Sequence, residues 1–314
     1  MSSAEVIAAA ARALGPLAER DAPLGARTTY RVGGAAAVLV EVADEAAVRA
    51  VAKAVAATGV DLVVVGRGSN MLVADGGFPG LALVLGGHFE QVELEETEVR
   101  AGGAASLPVV ARRTAAEGLT GFEWAVGVPG TVGGAVRMNA GGHGSDMAAS
   151  LTRVRVVDLH TGEDGEVRAA DLELGYRSSA IRPHQLVLRA DLALAVGDPA
   201  RGAAEIADIV AWRRANQPGG ANAGSVFTNP PHDSAGRLIE DAGCKGLRIG
   251  TASVSTKHAN FIQADDGGSA ADVLALMDEV ALRVERHCGV RLVPETRLVG
   301  FSRANPAVEV EGPR

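Results

Sequence analysis

Two glycine-rich segments constrain the fold more than anything else in the chain: residues 66–70 (GRGSN) and residues 126–141 (VGVPGTVGGAVRMNAG). The 40 glycines gather in loops of this kind without a fixed period, so collagen-like and solenoid architectures are excluded. Residues 61–66 (DLVVVG) read as a buried strand that delivers the backbone into the first segment. Glycine there lets the backbone approach a phosphate closely, while the amides of Gly66, Arg67, Gly68, Ser69 and Asn70 and the Ser69 hydroxyl can donate to its oxygens. The spacing is neither a Walker loop nor GxGxxG, which sets aside ATP and the usual Rossmann mode. Alone, the segment is also what a tight strand-to-loop turn looks like. The second segment changes the balance. It holds six glycines or prolines in sixteen residues, yet Val126, Val128, Val132, Val136 and Met138 make it apolar, as a packed loop is. Its small residues can open a helix whose N–H groups and dipole favour a pyrophosphate. Together the two segments imply a bound dinucleotide, with Val128, Pro129, Gly130, Thr131, Gly133, Gly134, Asn139 and Ala140 as further cofactor contacts.

The remaining pattern is mixed helix and strand. Residues 38–42 alternate like a strand, Asp44 can cap a helix running to Thr58, and Ala47, Val48, Val51 and Val55 share its inner face. Ser106 can cap a helix that stops at Gly118, and residues 153–158 and 186–195 look like strands. After Gly197, Asp198 and Pro199, helices are expected to Asn216, over 234–242 and over 269–288. These breaks suggest segments 1–85, 86–198 and 199–314.

Function classes are narrowed by what the chain lacks. A net charge of −8 without a dense basic run argues against nucleic acid. Apolar stretches are short, so no membrane-spanning helix is expected, and the N-terminus reads as an amphipathic helix, not a secretion signal. Cys244 and Cys288 lack CxxC spacing, which fits a reducing compartment and a cytoplasmic protein. His143, His160 and His184 show no carboxylate or cysteine at metal spacing, so no metal is assigned. The acidic charge and the absence of a long exposed apolar run favour a monomer.

Three scattered segments supply acid–base chemistry: Tyr176-Arg177 in GYRSS, Ser225 in ANAGSVFTNP and Glu295 in LVPETRLVG. A guanidinium, a neutral proton donor and a carboxylate suit a reaction in which a carbanion beside a carboxylate is stabilised and protonated. Each residue has a plainer alternative: a surface ion pair, a turn cap, a strand end. With TYRVGGAA (29–36), GRGSNMLV, GVPGTVGGAVRMNAG, SAGRLIEDAGCKGLRIG (234–250) and STKHANFI (255–262), these segments occur in an order that resembles the UDP-N-acetylenolpyruvoylglucosamine reductases. The resemblance runs from about residue 21 to residue 302, and the short interval between Arg177 and Ser225 is similar to the family's compact subtype.

The resemblance implies an α+β fold of the vanillyl-alcohol-oxidase-like FAD-binding class. Segments 1–85 and 86–198 would be two FAD-binding subdomains, and 199–314 an α+β substrate domain. It further implies FAD as bound cofactor, NADPH as hydride-donating co-substrate, and reduction of UDP-N-acetylglucosamine-enolpyruvate in peptidoglycan precursor synthesis. Arg177 would pair with the substrate carboxylate, Ser225 would protonate C2, and Glu295 would stand beside the same intermediate. Tyr176, Asn229, Lys257 and His258 are the expected substrate contacts, His258 being equally readable as a structural histidine. Many relatives carry lysine where this chain has Asn216 and Thr228, and residues 141–147 (GGHGSDM) replace an aromatic-containing version. The rival readings are another FAD-dependent oxidoreductase of the same fold and a flavin-binding scaffold without catalysis. The first would need a base where this site offers an acid, and the second is disfavoured by retention of all three residues.

Overall fold

The computed structural model describes residues 2–302. The described residues form two compact units, each assembled from separated stretches: residues 2–22, 37–67 and 79–215 make the first, and 23–36, 68–78 and 216–302 the second.

Among its described residues the first unit contains two larger sheets, besides two short strand pairs. One has the order Glu19–Ala22, Ala36–Val42, Phe78–Leu85, Leu62–Val65. Its helices are α1 (Ser3–Leu14) and α2 (Glu45–Thr58). Helix α2 begins where the Asp44 carboxylate accepts from Ala47 N–H at 2.8 Å and ends at Gly59, whose left-handed φ of 65° only glycine adopts cheaply. Its Val48, Val51 and Val55 are buried with Val38, Val40, Leu81 and Leu83. The strand entering GRGSN, Leu62–Val65, lies beside Phe78–Leu85, in parallel, with that strand between it and Ala36–Val42. The second sheet, antiparallel at each of its pairings, runs Asp164–Arg168, Leu151–Asp158, Gln185–Ala193, Glu98–Gly102, Val92–Glu95. Helices α3 (Leu107–Ala116), α4 (Val132–Met138) and α5 (Pro199–Asn216) accompany it. Ser106 precedes α3, but its side chain makes no capping hydrogen bond; its carbonyl accepts from Val109 and Val110 instead.

The second unit packs α6 (Ala235–Asp241) and α7 (Ala270–Cys288) with three short strands, Arg248–Ile249, Ala252–Val254 and Ile262–Ala264. A further parallel pair joins Met71–Val73 to Arg297–Val299. Here the division differs from the three sequence segments. Tyr30, Val32 and Leu72 are buried in this unit's core with Phe227, Met277 and Val280, so two stretches from the N-terminal third belong to it. Helix α5 instead puts Ile206 and Ile209 into the first unit's core. No helix among the described residues is long and apolar enough to cross a membrane.

Candidate active site

The cofactor segments divide between the units: Gly66 and Arg67 belong to the first, Gly68, Ser69 and Asn70 to the second. Within the first unit the two cradles touch. A Cβ on Gly66 would stand 2.7 Å from Thr131 Oγ1, so a side chain there would have to displace the Thr131 hydroxyl. Gly68 sits at φ +61°, and a Cβ on it would meet the Thr28 Cα at 2.6 Å. Among the described residues the backbone N–H groups of Arg67, Gly68 and Ser69 meet no backbone acceptor. The second cradle is less open than expected. Gly130 N–H donates to Val128, Val132 N–H to Ala105, Gly133 N–H to Gly103, and Gly134 N–H to the buried Thr131 hydroxyl. The loop's glycines therefore serve first to seat α4 against residues 103–105, and the amides of Gly130, Gly133 and Gly134, expected to face a pyrophosphate, are already engaged. Pro129 is exposed, and Val128 and Ala140 are half-buried against the second sheet's core.

Asn139 is 3% exposed and its side-chain amide is spent inside the protein. Its nitrogen donates to Asp146 at 3.1 Å and to the Gly175 carbonyl at 3.0 Å, while its oxygen accepts from Ala148 N–H at 2.9 Å. A cofactor role for Asn139 thus does not rest on its side chain. What the amide does is anchor GYRSS. Gly175 and Ser178 exchange two backbone hydrogen bonds of 3.1 and 3.2 Å, leaving Tyr176 and Arg177 at the tip of a tight turn. Arg177 holds a left-handed φ of 56° and its guanidinium lies 5.4 Å from the centre of the exposed Tyr176 ring.

In the second unit, Ser225 and Glu295 lie on adjoining extended segments. Glu295 N–H donates to the Val226 carbonyl at 2.7 Å, Thr228 N–H to the Val293 carbonyl at 2.9 Å, and Phe227 bridges Pro294. Asn260 locks the Ser225 segment. Its backbone carbonyl accepts from Val226 N–H, and its side chain both accepts from Phe227 N–H and donates to Phe227 C=O at 3.0 and 2.8 Å. Asn70 reaches the other segment, donating from its side chain to the Glu295 carbonyl at 3.0 Å. The sequence signal for Asn260 was its place in STKHANFI; nothing local told that its amide would imitate a strand.

The expected substrate contacts are more varied. Lys257 is exposed. Asn229 is exposed too, but its side-chain Oδ1 accepts from Ala235 N–H at 3.0 Å, at the start of α6. His258 accepts from Asn260 N–H through Nδ1 at 3.3 Å and packs edge-on to Phe261 at 4.8 Å. Burial lowers its pKa, and nearby Lys245 adds to this. Arg297, two residues beyond Glu295, was not singled out by its sequence context; burial holds its pKa below the usual guanidinium value. Thr228, where many relatives have lysine, spends its hydroxyl on the Val293 carbonyl at 3.3 Å.

The histidine reading needs one correction. Asp158 lies with His160 and His184, so those two do have a carboxylate partner. Both its oxygens are engaged: one accepts from the N–H groups of His160 and Thr161, the other from His184 Nε2 at 3.1 Å. The cluster fastens a turn to the strand Gln185–Ala193. His143 instead packs edge-on to Trp212 at 5.1 Å.

Comparison with known proteins agrees with this arrangement. Residues 36–168 match the profile of an FAD binding domain, and residues 216–299 match that of the UDP-N-acetylenolpyruvoylglucosamine reductase C-terminal domain. The reductase of Heliobacterium modesticaldum is 42% identical over 283 residues, covering 89% of this chain and 90% of its own. That of Rubrobacter xylanophilus is 40% identical over 287 residues, covering 91% and 96%. The crystal structure of the Thermus caldophilus reductase superposes with a TM-score of 0.79 at 35% identity, covering 90% of this chain and 98% of that one. The α+β FAD-binding architecture expected from the sequence is borne out by these matches. With likeness of this extent running through both units, the chain belongs to the UDP-N-acetylenolpyruvoylglucosamine reductase family.

Proposed function

We propose that this protein reduces the enolpyruvyl ether of UDP-N-acetylglucosamine to UDP-N-acetylmuramate, with NADPH as reductant, in peptidoglycan precursor synthesis. The observation that carries the reading is the Glu295 N–H to Val226 C=O hydrogen bond, which sets a carboxylate residue beside the segment of a neutral proton donor. FAD, when bound, would supply the two-electron chemistry that links oxidation of NADPH to reduction of the enolpyruvyl double bond. The residues that would hold it are those of the two glycine-rich segments, 66–70 and 128–134, where the backbone at Gly66 and Gly68 runs close against Thr131 and Thr28 respectively.

The chain's residues do the rest. Hydride addition at C3 leaves an electron pair at C2, delocalised into the adjacent carboxylate. Arg177 pairs with that carboxylate, whose charge grows in the transition state; a planar fork holds it in one orientation. Ser225 gives its hydroxyl proton to C2, completing net addition of hydride and proton across the double bond. Glu295 stands beside the same centre and returns a proton to the serine oxygen from solvent. Tyr176, Lys257 and Arg297 contribute surface and charge for the nucleotide-sugar. On this reading the enzyme acts in the cytoplasm, as a monomer, on a soluble substrate.

The experiment is an absorbance spectrum of the purified protein under argon. A yellow protein that bleaches with NADPH and regains colour with UDP-N-acetylglucosamine-enolpyruvate supports both half-reactions. Bleaching without recovery moves the substrate elsewhere.

A further inference from the structure

Asn70 closes the glycine-rich motif, where a phosphate contact is the obvious assignment. The geometry gives it other work. Its side-chain nitrogen donates to the Glu295 carbonyl at 3.0 Å, and its own carbonyl accepts from Arg297 N–H at 3.0 Å. Two bonds from one residue thus bracket Glu295, just ahead of the parallel register in which Met71 faces Arg297. On its other side Glu295 donates its N–H to Val226 at 2.7 Å. Both backbone hydrogen-bonding groups of Glu295 are therefore held, one by the Ser225 segment and one by Asn70. The bond to Asn70 joins residues 225 positions apart in the chain, so no local conformational preference supplies it.

We infer that Asn70 is a positioning residue for Glu295, setting the carboxylate's backbone against the Ser225 segment, and that its side chain is not a cofactor ligand. This rests on the function proposed above. Loss of the amide donor frees the Glu295 peptide on one side, and a carboxylate at position 70 would oppose the Glu295 carbonyl with like partial charge. Misplacing a reacting group by about an ångström costs up to roughly a hundredfold in rate. The effect should fall on the half-reaction that uses Glu295 and spare the one that does not.

The test is stopped-flow measurement of both half-reactions in the FAD-loaded full chain carrying Asn70→Asp, with Asn70→Ala as second variant should the first fail to fold. Oxidation by UDP-N-acetylglucosamine-enolpyruvate should slow about tenfold or more, while FAD content and reduction by NADPH stay within about twofold of wild type. In a Glu295→Gln background the same change should add less than about a further twofold, because the group being positioned is already disabled. Loss of FAD, parallel slowing of both half-reactions, or full additivity with Glu295→Gln overturns the inference. Wild-type protein that is not reoxidised by this substrate would instead remove the proposed function itself, and the inference with it.

Discussion

At the scale of single residues, the three chemical side chains are each presented by backbone that another motif holds. Asn139 fixes the GYRSS turn, Asn260 fixes the Ser225 segment and Asn70 reaches Glu295. On the proposed function, the part played by the Ser225 hydroxyl is therefore separable from fold. Ser225→Ala should leave FAD reduction by NADPH nearly intact while slowing substrate reduction by at least ~10²-fold, the usual scale for a positioned proton donor. Equal slowing of both half-reactions in stopped-flow absorbance would count against Ser225 as the donor. Arg177→Lys should also be harmful, since an ammonium does not reproduce a planar two-point contact; unchanged kcat and KM in steady-state assays would remove that role. His258 carries a stability prediction. Burial lowers its pKa, so the unfolded chain takes up a proton at about pH 6.5 before the native ring does. Its contribution is full above that pH and is lost as pH falls toward the lower native value. Urea unfolding at pH 7.5 and pH 5.5 should show a smaller acid loss in His258→Gln than in wild type. His143, also lowered by burial and then by Arg213, shares the sign and is common to both proteins.

At the scale of elements, periodicity and caps made most of the structure legible. Helix α2 begins at the Asp44 cap and ends at Gly59 as read, and α7 begins at Ser269, whose hydroxyl accepts from Ala271 and Asp272. Less legible was anything set by distant partners. Asp75 reads as a loop residue, yet its carboxylate accepts from the Ser269 hydroxyl at 2.7 Å, Ala270 N–H at 2.8 Å and Ala271 N–H at 3.0 Å, at the start of α7. Burial works to raise its pKa, but these hydrogen bonds prevail and hold it below the usual carboxylate value. No spacing rule joins residue 75 to residue 269. The same limit hid the use of the Val132 and Gly133 amides, whose acceptors at 105 and 103 come from another loop. Asp75→Ala should cost about 1 kcal/mol, the scale of a lost helix cap, in urea unfolding at pH 7. Gly68→Ala should cost more than about 1 kcal/mol, because a side chain at φ +61° is strained and its Cβ would strike Thr28. A Gly68→Ala protein as stable as wild type would mean that this turn tolerates another conformation.

At the scale of the whole molecule, the order of motifs along the chain misleads about what folds together. Composition shifts and the Gly197–Pro199 break suggest that residues 199–314 form a domain, but the second unit's core includes Tyr30, Val32 and Leu72. Its parallel strand pair needs Met71–Val73, and its long helix is capped by Asp75. Tyr30 is fully buried, and burial of a large aromatic is worth several kcal/mol, comparable to a small domain's whole stability. A fragment of residues 199–314 would also carry α5 without the core that receives Ile206 and Ile209. It should therefore lack a cooperative thermal transition, expose apolar surface to a hydrophobic dye, and disperse its amide resonances poorly. Supplying residues 23–36 and 68–78, joined by a flexible linker in place of 37–67, should restore cooperative unfolding, provided α5 is removed so that the C-terminal piece begins at 216. A sharp transition in the unsupplemented fragment would show that the C-terminal core closes without Tyr30 and Leu72. Because Gly68–Asn70 travels with this unit while Gly66-Arg67 does not, the restored fragment should keep the Asn70–Glu295 bond yet bind FAD poorly, and flavin fluorescence titration reads that difference directly.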